Sequence, residues 1–91
     1  MVSVGVVFEQ EGHDFSGTAH QLSFVTVPLQ GELFSIDHMA IENDDGLYSD
    51  VELASTDWFR VERRSQIAGA APSVDIFVSP VDIAKELFDD E

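Results

Sequence analysis

The chain has 91 residues, with 18 Asp and Glu against four Lys and Arg, a formal net charge of -14 and no cysteine. That length bounds it to one small domain, and a hydrophobic share of 44% excludes a wholly disordered polymer. The charge argues against an autonomous binder of DNA, RNA or anionic membranes, because each phosphate contact needs a cation, while the missing cysteines exclude disulfides, zinc-thiolate sites and a cysteine nucleophile.

No run approaches the roughly 18 apolar residues of a membrane span. The N-terminus, Met1 to Gly5, lacks the basic start of a signal peptide. The expectation is a cytoplasmic chain folded as a single domain over 1–91, with no repeat or linker to divide it. In the first element Val2, Val4, Val6 and Phe8 alternate with Ser3, Gly5 and Val7, the period of a half-buried strand. Gly12 and Gly17 then mark a polar turn region. Residues 20–27 read as a second strand with apolar groups on both faces, which points to a central position. Pro28 stops that strand, since it has no N–H for the ladder. Pro28 to Gly31 predicts a β-turn, and residues 33–41 resume in extended form.

Asn43-Asp44-Asp45-Gly46 is the clearest turn signal, because glycine takes positive φ at little cost and short acidic side chains compete with ladder hydrogen bonds. Residues 49–57 are ambiguous. Ser49 and Glu52 form a capping-box pattern, and Val51, Ala54, Trp58 and Val61 have helical spacing, but Ser55-Thr56-Asp57 interrupts with poor helix formers. Residues 58–64 alternate as a strand. A small-residue loop leads to a last strand carrying Val74, Ile76 and Val78. Ser79-Pro80 then has the pattern of a helix start, so a short C-terminal helix over 79–91 with a fraying acidic tail is expected. The predicted class is mainly β, with α+β as the alternative: about five strands in a small antiparallel barrel or sandwich, closed by that helix.

Charge distribution is the most informative feature. Residues 1–59 contain eleven acids and no Lys or Arg; residues 60–91 contain seven acids and all four bases. The densest base-free stretch carries Glu42, Asp44, Asp45, Asp50, Glu52 and Asp57, expected in a turn and on exposed strand faces. One reading is a solvated face that serves solubility or reflects a halophilic composition. The other is a surface shaped to dock on a basic protein groove, with carboxylates where that groove normally holds phosphates. In size and acidity the chain resembles small phage-encoded inhibitors, anti-CRISPR and anti-restriction proteins, that imitate nucleic acid. That resemblance covers no motif and carries over no residue. It implies a non-catalytic binding protein whose partner is the basic surface of a nucleic-acid-binding protein. The alternative is an accessory interaction module, such as a small phage or bacterial adaptor, with charge serving only solubility.

Other chemistry has weaker signals. Aligning Gly46 with the glycine of an EF-hand loop places Asn43, Asp45 and Glu52 at ligand positions, but Ile41 falls where the first oxygen ligand belongs. An ordinary Asp-Gly hairpin turn is the preferred reading. His13, Asp14, His20, Asp37 and His38 lack any metal-motif spacing, so surface or hydrogen-bonded core histidines are expected. No Gly-x-Ser-x-Gly elbow or phosphate loop occurs. Neither an enzyme nor a cofactor is implied. Arg60, Arg63 and Arg64 are read as internal partners of nearby acids, with Arg63 on the Phe59 and Val61 face and Arg60 and Arg64 beside Trp58 and Glu62. Together with Trp58 these arginines form the alternative partner contact. Self-association is compatible with the sequence.

Overall fold

The computed structural model describes residues 1–10, 12 and 14–82 of the chain. Five strands and two short helices follow one another: β1 (Val2–Phe8), β2 (His20–Phe24), β3 (Leu33–Ser35), α1 (His38–Glu42), α2 (Asp45–Ala54), β4 (Trp58–Ile67) and β5 (Ser73–Pro80). The strands form one curled, half-barrel sheet in the order β2-β1-β5-β4-β3. The β-rich class is as expected, but the sheet is mixed and not purely antiparallel, because β1 and β5 pair in parallel from Gly5–Asp75 to Phe8–Val78. No described helix is long and apolar enough to cross a membrane.

Alternation in β1 does what its pattern dictates: Val4, Val6 and Phe8 are buried on the concave face. Phe59 and Val61 from β4 and Ile76 and Val78 from β5 meet them there, and Ile36, Ile41 and Leu47 cover the layer from the helical side. Each such side chain contributes about 1.5–3 kcal/mol on burial. A run of aromatic rings crosses this core. Phe8 stacks on Phe59 with centroids 4.8 Å apart, Phe59 neighbours Phe34 at 6.0 Å, and Phe34 meets Phe24 edge-on at 5.3 Å. The last of these contacts joins side chains of β2 and β3, the two outermost strands, and so records how far the sheet curls.

At four places the chain departs from the pattern of its sequence. The second strand stops at Phe24 and lies at the sheet edge, not its centre, with Val25 84% exposed. The extended segment 33–41 is a three-residue strand followed by α1, whose N-cap Asp37 accepts from the Met39 amide at 3.4 Å. The turn after Pro28 falls one residue later, with the Glu32 amide donating to the Leu29 carbonyl and Gly31 at φ +91° where a β-turn needs it. Ser79 and Pro80 belong to β5, where they pair with Arg60 and Phe59, so no helix starts there and both described helices are internal. The remainder of that predicted helix, residues 83–91, lies outside the described residues.

Residues 49–57 resolve as helix followed by turn. α2 starts with Asp44 as N-cap, its carboxylate accepting from Gly46 at 3.1 Å and Leu47 at 3.2 Å. It ends at Ser55 in the left-handed region, φ 61°. Leu47, Asp50, Val51 and Ala54 recur at helical spacing and face inward; Asp45, Tyr48, Ser49, Glu52 and Leu53 remain exposed.

Candidate functional site

Of the six acids singled out from the sequence, five are exposed and collect on the helical segment. Glu42 ends α1, Asp44 caps α2, Asp45 sits in its first turn, Glu52 lies seven residues further on the same face, and Asp57 follows the C-cap. The fold that presents them is a helix pair, not the hairpin expected around Gly46. Asp45 and the Asp44 carboxylate complement the positive end of the helix; Glu52 stands near its negative end, where no basic residue balances it.

Asp50 is the exception and leaves the surface patch altogether. It is only 2% exposed, and its Oδ2 lies 2.8 Å from His20 Nε2. The Ser16 hydroxyl donates to the same oxygen at 2.7 Å, and the Ser16 amide donates to Oδ1 at 3.1 Å. Burial alone would push this carboxyl up; the hydrogen bonds from His20 and Ser16 overcome that and hold it below its ordinary value. An ionised carboxylate only accepts, so His20 Nε2 carries the proton in this pair. His20 is thus a hydrogen-bonded core histidine, also packed 5.6 Å from the Phe8 ring. Serine, aspartate and histidine meet here without forming a nucleophile pair, since activation needs the hydroxyl on the imidazole. Here both groups aim at one carboxylate oxygen. The cluster ties the segment before β2, the edge strand and α2 together.

The calcium alignment does not describe this geometry. Asp45 to Glu52 is helical, and the Asp44 carboxylate is committed to the helix cap, so no twelve-residue ligand loop is formed. Among the described residues no group of three His, Cys, Asp or Glu is placed to hold a metal; His13 lies outside them.

The alternative contact around Trp58 is spread along β4. A β-bulge between Val61 and Arg63 shifts the register, so that Val61 pairs with Val78 but Arg63 with Phe77 and Arg64 with Ile76. The bulge reverses the faces expected for Arg63 and Arg64, while Arg60, which precedes it, keeps the face expected for it beside Trp58. Arg63 moves off the Phe59 and Val61 side onto the outer face, where its guanidinium lies 4.1 Å from the Phe77 ring centroid and 3.1 Å from Glu9. Arg64 falls on the opposite side. Trp58 is half-buried at the start of the strand, and Arg63 stands about 16 Å along the strand from it. By register Trp58, Arg60 and Arg63 share the outer face of β4, and Arg64 does not.

Sequence reasoning missed the buried role of Asp50. The signal was Leu47, Val51 and Ala54 at i, i+4 and i+7, a stripe in which Asp50 occupies i+3. Comparison of the chain with protein-family models, curated proteins and solved structures finds no match in any of the three.

Proposed function

We propose that the protein is a non-catalytic binding protein that docks its acidic helical face on a basic protein surface. The observation that carries this reading is the segregation of charge. Glu42, Asp44, Asp45, Glu52 and Asp57 are all exposed on or beside α1 and α2, and the first 59 residues hold no Lys or Arg to neutralise them. The described cations Arg60, Arg63 and Arg64 all lie on β4, and Arg63 is turned to Glu9 and Phe77. A carboxylate face of this kind suits a groove that otherwise receives phosphates, the mode of the nucleic-acid-imitating inhibitors to which the chain is similar in size and acidity.

Competition tests this reading. Binding to the partner should weaken steeply from about 50 to about 300 mM salt and yield to duplex DNA or guide RNA. It should be lost when Glu42, Asp45 and Glu52 are all changed to Lys; Asp44 and Asp50 are spared because the fold uses them. A second reading, an accessory interaction module, is favoured by Met39, Tyr48 and Leu53, which are 67%, 50% and 47% exposed on the same helices. Binding that resists salt, nucleic acid and the triple reversal would establish that module instead.

A further inference from the structure

We propose that the groove between α1 and α2 seats an arginine side chain of the basic partner. The proposal rests on the reading above and names the anchor within it. The groove has a volume of about 370 Å³. Its floor is apolar, formed by buried Ile41 from α1 and half-buried Val51 from α2. The rings of His38 and Tyr48 line it, and the exposed carboxylates of Glu52 and Asp57 stand at its edge. Ser55, the C-cap of α2, also lines it, and the last turn of the helix, whose carbonyls carry partial negative charge, contains no basic residue.

Each part suits one portion of arginine. The three-carbon stem covers the apolar floor, the flat guanidinium stacks on a ring, and its fork of donors meets the carboxylates. A lysine would keep the charge but lose the stacking and the fork. A second copy of this chain is a poor occupant, since at -14 it would bring acids against acids. A bound metal would need ligands that the described residues do not assemble.

The test uses the full chain labelled with ¹⁵N and a peptide of three arginines separated by Gly-Ser, with its citrulline counterpart as the uncharged isostere. At low salt the arginine peptide should shift the resonances of Ile41, Tyr48 and Val51, and the citrulline peptide should not. Tyr48→Ala should weaken binding about two- to fivefold, and Tyr48→Phe should restore it, because the ring is retained. Glu52→Gln and Asp57→Asn should each cost about two- to fivefold. If the arginine peptide binds but shifts only residues around Asp44 and Asp45, the groove is not the anchor and the acidic-face reading stands. If it does not bind at low salt, both readings fall.

Discussion

His20 and Asp50 stand thirty residues apart in the chain and 2.8 Å apart inside the domain. The pair fastens the edge strand β2 to the inner face of α2, and with Ser16 it also pins the segment leading into β2. The acidic helical face is therefore mounted on the sheet through this buried carboxylate together with Leu47, Val51 and Ala54, while Asp45, Ser49 and Glu52 remain exposed.

Removing that carboxylate should damage the fold. Asp50→Ala leaves the buried His20 ring without its acceptor, removes both bonds from the exposed Ser16, and should cost about 3–5 kcal/mol; Asp50→Asn, which keeps one acceptor, should cost about 1–3 kcal/mol. The pH dependence has a definite sign. Because the folded state holds the Asp50 carboxyl below its ordinary value, its contribution is present above the unfolded value of about 3.9 and is lost as pH falls through the lower folded value. Urea unfolding at a series of pH values should show a shallower acid-side decline for Asp50→Asn than for the parent chain.

The caps of α2 offer a second prediction with opposite outcomes at the two ends. Asp44→Ala removes the acceptor for the Gly46 and Leu47 amides and should cost about 0.5–2 kcal/mol. Ser55→Gly should instead stabilise the helix by about 0.5–1 kcal/mol, because Ser55 sits at φ 61° and glycine adopts that conformation without strain. Thermal melts of the two variants should move in opposite directions.

Much of the sheet was legible in the sequence, for physical reasons that also explain what was not. Val4, Val6 and Phe8 alternate along β1 and are buried, so period and burial agree there, while Val2 at the strand's start is exposed and Gly5 on the other face is also covered. The second strand misled because its second apolar face came from Val25 and Val27, which lie past the end of β2; within His20–Phe24 only one face is covered, as suits an edge strand. α1 spans five residues, too few for a 3.6-residue period to emerge against the extended reading, although Asp37 was its cap signal. The parallel β1–β5 pairing joins residues some seventy positions apart, and no local pattern encodes such a partner. Arg63 and Arg64 changed face because one bulged residue inverts the alternation beyond it, a shift that periodicity alone does not reveal. Among the acids of the base-free stretch, only the helical phase separates Asp50, which faces Leu47 and the core, from Asp45 and Glu52, which face solvent.

Arg63 supplies a third prediction. Its guanidinium bridges the Phe77 ring and the exposed Glu9, so Arg63→Ala should cost about 0.5–1 kcal/mol. The Glu9 part of that loss should fade with added salt, whereas the ring contact should persist. A double-mutant cycle with Glu9→Gln, run at low and high ionic strength, separates the two contributions.

The central claim is that the exposed carboxylates of α1 and α2 form the binding face. Its most direct measurement is the salt dependence of the dissociation constant for the arginine peptide, in the parent chain and in the Glu42→Lys, Asp45→Lys, Glu52→Lys triple variant. The account predicts steep weakening with salt for the parent chain and at least a roughly tenfold weaker, nearly salt-independent interaction for the variant. The variant should fold, with a melting temperature equal to or above that of the parent, because repulsion is relieved and neither Asp44 nor Asp50 is touched. Equal affinities and equal salt slopes for the two chains would contradict the claim and remove the binding face from these helices.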